Sequence, residues 1–313
     1  MKPQQEVRYA FIGSGHFAAC CLEILSDWRA PLWVATAPPR PAGRGLRLME
    51  TPVAGIASSR GLQLLHSAKV STDETILSLV QEQKPDFILV VDFAQMIKPP
   101  LIDLPPLGCL NIHPSLLPAY RGSAPIQRAL MDGVAETGVT VFRLIDRMDA
   151  GAVLIQERLV IDHEDTTGSL IQKASALGSR ALISYIESTP LDAWVFSPQD
   201  NDRATYAPKI DKNERQMDCQ KSASDLSHII RALSPDPGVY TLYKGKRLAI
   251  KQAEPVSGSG AFGTLIALRG GNPIISCGSG ALELLVVQPE GKTAQSGAEW
   301  LRGARLGLGE KLA

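Results

Sequence analysis

The spacing of apolar positions divides the chain into two stretches of different character. Up to about residue 190, continuous apolar runs alternate with amphipathic segments. The runs 7–13 (VRYAFIG), 32–36, 62–65 and 86–91 (DFILVV) are mostly apolar and read as parallel strands, the last a continuous run as expected for a strand covered on both faces. The intervening segments 16–25, 51–60, 73–83, 126–131 and 166–187 read as helices, the last with Thr166 or Thr167 as its cap. Two alternating runs, 138–145 and 152–160, read as further strands of the same sheet. From Gly238 the pattern changes to short strands separated by glycines, at 239–243, 247–252, 263–268, 274–277 and 282–288, which predicts a small antiparallel barrel. A short helix over 223–233 precedes it. The polar, Pro-containing stretch between the two regions reads as a linker, with Trp194 as a candidate anchor. The expected division is therefore 1–189, a linker at 190–207, and 208–313.

The stretch 108–125 (GCLNIHPSLLPAYRGSAP) carries the candidate chemistry. An apolar run ends in Asn111 and His113, which lie two apart and so share one side of a strand. A Pro-rich loop follows, constrained by Pro114 and Pro118 and able to bend at Gly122. Open α/β sheets place ligands where a strand opens into a loop. An amide donor beside an imidazole suits a carbonyl that gains negative charge during acyl transfer. A histidine on an apolar strand can equally be a satisfied core residue, and the pair alone does not decide between the two.

The pattern Asn-Ile-His-Pro-Ser-Leu-Leu-Pro at 111–118, followed by Tyr-Arg-Gly and Ala-Pro, resembles the formyltransferase family that uses 10-formyltetrahydrofolate. Asp-Arg-Met-Asp-Ala-Gly at 146–151 resembles the family's second motif, and Thr-Tyr-Ala-Pro-Lys-Ile at 205–210 resembles a segment of the branch that formylates an aminoacyl-tRNA. The resemblance implies an α/β fold, with a Rossmann-like mostly parallel sheet domain followed by a small OB-like β-barrel domain. It implies Asn111, His113 and Asp149 as the catalytic trio, and Ser115, Leu116, Leu117 and Pro118 as the folate-contacting loop. In this reading Asn111 and His113 stabilise the oxyanion, and Asp149 orients His113 and favours its protonated form. The implied substrates are 10-formyltetrahydrofolate and initiator methionyl-tRNA, with no metal, no membrane partner and a monomeric protein. A sugar-nucleotide N-formyltransferase, a formyltetrahydrofolate hydrolase and an inactive folate- or RNA-binding relative share parts of the pattern.

Four other features modify this picture. Gly13-Ser14-Gly15-His16-Phe17-Ala18 fits a loose G-x-G-x-x-A, the fingerprint of a dinucleotide site. Such a site needs an acid about 20 residues on to hold the ribose, and here the second strand runs into Ala37-Pro38-Pro39-Arg40. The glycines are therefore read as serving the strand-to-helix turn. His16 and Asp92 both stand where the resembling family carries other residues, and Asp92 either faces the pocket or turns away from it. The segment 40–49 (RPAGRGLRLM) reads from its charge as a solvated loop. By resemblance it is an RNA-entering loop with Arg40, Arg44 and Arg47 as its cations. Lys244, Lys246, Arg247 and Lys251 form a second basic cluster, either a solvated face or an RNA platform.

Composition narrows the class. Hydrophobic residues make up 44% and charged residues 20%, as in an ordinary globular chain, and no apolar run approaches the roughly 20 residues of a membrane helix. The first residues lead into a strand without signal-peptide organisation, so a cytoplasmic location is expected. Five cysteines, with no CxxC, read as reduced and structural. The formal net charge is zero, so an RNA partner requires local basic patches.

Overall fold

A computed structural model describes residues 6–42 and 47–312. In chain order the elements are β1 (Tyr9–Gly13), α1 (His16–Trp28), β2 (Val34–Thr36), β3 (Arg40–Ala42), β4 (Arg47–Met49), α2 (Pro52–Ser59), β5 (Leu64–His66), α3 (Glu74–Gln83) and β6 (Phe87–Val91). They continue with β7 (Cys109–His113), β8 (Arg121–Gly122), α4 (Pro125–Met131), β9 (Glu136–Arg143), β10 (Val153–Val160), α5 (Thr167–Ser188) and β11 (Tyr206–Ala207). The last part holds α6 (Ala223–Ala232), β12 (Val239–Tyr243), β13 (Lys246–Val256), β14 (Leu265–Arg269), β15 (Asn272–Ser276), β16 (Ala281–Pro289), β17 (Gln295–Ser296) and α7 (Gly297–Ala304). The chain forms two compact units. The first holds the described residues to Pro125, Glu136–Val160 and Ile171–Ala207, and the second holds Ile126–Ala135, Ile161–Leu170 and the described residues from Pro208 on.

The first unit is built on a seven-stranded sheet of order β10-β9-β7-β6-β1-β2-β5. Strands β5, β2, β1, β6 and β7 run parallel, and β9 and β10 are antiparallel additions. The continuous apolar runs are buried on both faces, and alternate residues go to different cores. Tyr9, Phe11, Phe87, Leu89, Leu110 and Ile112 pack with α1, α2 and α5. Ala10, Ile12, Ile88, Val90 and Cys109 pack with α3 through Ile76 and Val80. The expected linker stretch packs in this unit. Trp194 is only 9% exposed, and its ring lies 5.8 Å from that of Phe87.

Three segments differ from expectation. The supposed loop 40–49 has two paired arms, β3 and β4, with Arg40 opposite Met49 and Ala42 opposite Arg47. Pro41 is tolerated because this ribbon pairs on one side only. The end of the expected linker, 190–207, is not merely connecting chain, because Tyr206 and Ala207 add a parallel partner to Arg121 and Gly122. Helix α7 was not expected, although Ser296 and Glu299 form a reciprocal capping box at its start.

The second unit is an antiparallel sheet of order β12-β13-β16-β15-β14, and β17 also pairs with β16. Its core gathers Leu226 and Ile230 of α6, Trp300 of α7, and inward residues such as Leu248, Ile250, Leu282 and Leu284. The expected class, a mostly parallel sheet followed by a separate antiparallel one, is the one observed. Among the described residues no helix is long and apolar enough to cross a membrane, and the five cysteines are free.

Within this unit, Arg128 grips Glu214 with both terminal nitrogens, the Nη2–Oε2 distance being 3.0 Å. The guanidinium holds the Glu214 carboxyl below its ordinary value of 4.5. A depressed folded-state value adds stability that is present above the ordinary value and is lost as pH falls through the depressed one. Glu214→Gln is therefore expected to lower the unfolding temperature at pH 7, with the difference from the native protein closing below pH 4.5. Thermal unfolding at the two ends of that window checks this.

Candidate active site

Strand β7 aims its residues by simple alternation. Leu110 and Ile112 enter the core under α1 and α5, which sends Cys109, Asn111 and His113 to the other face. Antiparallel pairing sets Asn111 opposite Phe142 and His113 opposite Thr140. The His113 and Phe142 rings meet edge to face at 6.4 Å. Asn111 Oδ1 is buried without a hydrogen-bond partner among the described residues. The residue as a whole is half-buried, and no hydrogen bond from its Nδ2 is found among the described residues, which leaves the donor side of the amide without a protein partner among them.

His113 is 5% exposed, and a polar group of the protein faces each of its ring nitrogens. Nε2 lies 2.9 Å from the carbonyl oxygen of Tyr120. A carbonyl only accepts, so Nε2 carries the proton. Nδ1 faces Asp149 Oδ2 at 3.8 Å, an ion-pair distance rather than a hydrogen bond. The Asp149 carboxylate accepts from the Gly122 amide at 2.7 Å. Tyr120 and Asp149, the two residues that reach His113, both have left-handed backbone conformations, with φ of 58° and 49°. Non-glycine residues seldom adopt this region, and their surroundings must hold them there.

Those surroundings are specific. Tyr120 donates its amide to Thr205 Oγ1 at 2.8 Å. Gln199 Nε2 donates to the carbonyls of Asp149 and Gly151, at 2.9 and 2.7 Å. Gln199 Oε1 accepts from the buried Arg121. Gln199 is not singled out from the sequence, and Thr205 enters there only as the first residue of the 205–210 segment.

The loop expected to contact folate is pinned from beneath. Thr140 Oγ1 donates to Ser115 O at 2.7 Å and accepts from Leu117 N, and Gln156 Nε2 donates to Leu117 O at 2.8 Å. Ser115 is fully buried, with its hydroxyl turned back to Ala119 O. Leu117 is buried too, whereas Leu116 and Pro118 are half-buried. Only the last two present side chains toward the surface. A cavity of about 360 Å³ opens at the far end of β7, lined by Gly108, Arg143 and Asp146, and includes none of Asn111, His113 or Asp149.

At the glycine-rich turn, the Asp92 carboxyl lies by the Phe17 and Ala18 amides at the start of α1. Desolvation pushes its carboxyl up, opposed by those two amides and by the charge of His16. A Cβ on Gly15 would stand 1.8 Å from the Asp92 carboxylate. The anion-binding end of the helix is thus already filled by the chain's own acid, a physical reason against a dinucleotide there. His16 is exposed beside it. On the β3–β4 ribbon Arg40 and Arg47 are exposed, and Arg44 lies outside the described residues. Lys244, Lys246 and Arg247 are exposed at the β12–β13 hairpin. No three metal-ligating side chains gather among the described residues.

Two family descriptions match the chain: "Formyl transferase" over residues 7–186 and "Formyl transferase, C-terminal domain" over 209–305. A methionyl-tRNA formyltransferase of Jannaschia sp. is 38% identical over 308 residues, covering 98% of this chain and 100% of the relative. Among solved structures, the methionyl-tRNA formyltransferase from Clostridium thermocellum aligns with a TM-score of 0.59 at 14% identity, over 90% of this chain and 98% of that one. HypX from Aquifex aeolicus in complex with tetrahydrofolic acid aligns with a TM-score of 0.66 at 17% identity, over 97% of this chain and 48% of that one.

Gly122 has φ of 125°, and a Cβ there would stand 2.7 Å from Ala207 O. Gly122→Ala is expected to part β8 from β11 and to destabilise the protein by roughly 1–3 kcal/mol, the usual cost of such backbone strain. Chemical denaturation checks this.

Proposed function

The chain belongs to the formyl transferase family, and on that premise we propose that it moves the formyl group of 10-formyltetrahydrofolate onto the free amino group of methionyl-initiator tRNA, the step that prepares this tRNA for translation initiation. The observation that carries the reading is the end-to-end match, through both domains, to relatives of that activity at 38% identity. The protein acts as a monomer in the cytoplasm.

The trio divides the work by geometry. The Nδ2 of Asn111 donates to the formyl oxygen as the amine adds to the formyl carbon and negative charge grows there. His113 has its Nε2 proton committed to Tyr120 O, so its Nδ1 lone pair is the basic position. It takes the proton that the amine nitrogen must shed as it adds to the formyl carbon, directly or through one water. The imidazolium so formed lies between a carbonyl and the Asp149 carboxylate, which lowers its energy at the moment it appears. The bond from the formyl carbon to N10 then breaks, N10 takes up a proton, and tetrahydrofolate leaves. Rapid transfer further requires the amine to be held against the formyl carbon. Leu116 and Pro118 supply the apolar edge toward the folate, and buried Ser115 and Leu117 set the shape of that edge. Arg40, Arg44 and Arg47 bind the tRNA backbone, and the exposed cations of the β12–β13 hairpin are a separate basic patch available to the same partner.

The test supplies 10-formyltetrahydrofolate with initiator methionyl-tRNA, elongator methionyl-tRNA, a UDP-amino sugar, or water alone. Formylation of the initiator tRNA is the expected result, and turnover confined to the sugar or to water contradicts the reading. Asn111→Ala is expected to lower kcat on the order of 10²–10³-fold, as loss of one oxyanion donor does elsewhere. Replacing Arg40 and Arg47 together with glutamate is expected to raise KM for the tRNA, leave KM for the folate unchanged, and flatten the dependence of tRNA binding on salt. Steady-state kinetics at two salt concentrations check this.

A further inference from the structure

We infer that Gln199 is a positioning residue for the reaction, acting through Asp149, and that residues 199–205 are part of the active-site frame. The inference rests on the role given to Asp149 above. Gln199 lies 50 positions from Asp149 in sequence, yet its single Nε2 spans the two carbonyls that bracket the aspartate turn, Asp149 O at 2.9 Å and Gly151 O at 2.7 Å. Asp149 is in the left-handed region, with φ of 49°. A non-glycine residue relaxes out of that region unless something outside the turn holds it. The carboxylate has little room to move, because it must stay on Gly122 N and near His113 Nδ1 together.

The other end of the amide explains why residue 199 is a glutamine. Its Oε1 accepts from Arg121 at Nε (3.2 Å) and Nη2 (2.7 Å), and Nη2 also donates to Asn201 Oδ1 at 2.9 Å. Arg121 is 1% exposed. A buried guanidinium is ordinarily matched by a carboxylate. Here a carboxylate would set its second oxygen against two carbonyl oxygens. Only an amide accepts from the arginine at one end and donates to the turn at the other. The arginine also fixes which way the amide faces. Arg121 immediately precedes Gly122, whose amide holds the Asp149 carboxylate, so Asp149 is gripped through its backbone by Gln199 and through its side chain by Gly122. Thr205 completes the frame, with its hydroxyl on Tyr120 N and its carbonyl on Arg121 N.

The test compares Gln199→Glu and Gln199→Ala in the full-length chain, each alone and combined with Asp149→Ala. Gln199→Glu keeps an acceptor for Arg121 and is expected to fold. Gln199→Ala provides an independent variant, and thermal unfolding accompanies both. The expected result is a fall in kcat on the order of 10–100-fold, as for loss of a group that orients a reacting one. KM for both substrates stays within about threefold, and no further loss follows from the substitution once Asp149 is alanine. A folded Gln199→Glu enzyme with native kcat, beside an impaired Asp149→Ala, overturns this inference alone. An equal fall in the Asp149→Ala background overturns it as well. Undiminished kcat in Asp149→Ala overturns both this inference and the reading of Asp149 on which it rests.

Discussion

The site depends on how one imidazole is held. His113 meets a carbonyl at Nε2 and a carboxylate beyond Nδ1, and the residues providing them, Tyr120 and Asp149, both sit in a backbone region that side chains disfavour. Neither conformation would persist in a free loop. They are held by hydrogen bonds from Thr205 and Gln199, and these residues are placed by the pairing of β11 with β8. The chemistry proposed for His113 therefore rests on a distant segment that packs over the loop after β7. Strain concentrated beside a candidate reacting group and supported by rigid neighbours is the usual signature of a pre-organised site.

The sheet makes that arrangement possible. The face of β7 bearing Asn111 and His113 also bears Cys109, which reaches the α3 core, while farther along the face is left to loops. The loops after β7 and β9 settle there and bring the two sequence motifs together. Where β1 and β6 end side by side, the position that an anionic ligand takes in many doubly wound sheets is filled by Asp92 on the first turn of α1. The glycines there permit that close approach and leave no free helix end. Within one sheet, one strand end is sealed by the chain's own carboxylate, and the neighbouring strand carries an amide whose donor side has no protein partner among the described residues.

Much of the fold was legible because burial on both faces leaves continuous apolar runs. The runs at 7–13 and 86–91 became β1 and β6, trimmed by two residues and one residue at their starts. The trio was named from its motifs, yet the local pattern alone could not join Asp149 to His113, since that contact depends on loops from two different strands. Gln199 was not legible at all. A polar residue in a Pro-containing stretch reads as solvated, and only tertiary structure reveals that its partners are two backbone carbonyls and a buried arginine. Two-residue strands such as β8 and β11 carry too little periodicity to register. The ribbon of β3 and β4 was masked by Pro41 and its arginines, whereas α7 did leave a signal, since Ser296 and Glu299 stand at capping-box spacing.

The central claim is that His113 and Asp149 act as one unit. The most direct measurement is kcat for formyl transfer by the native protein, His113→Ala, Asp149→Ala and the double variant, all shown to be folded. A unit loses its function with the first member removed. The double variant should then be no slower than the slower single one. Losses that multiply, so that the double variant falls by the product of the two single effects, would contradict the account and make the two residues independent.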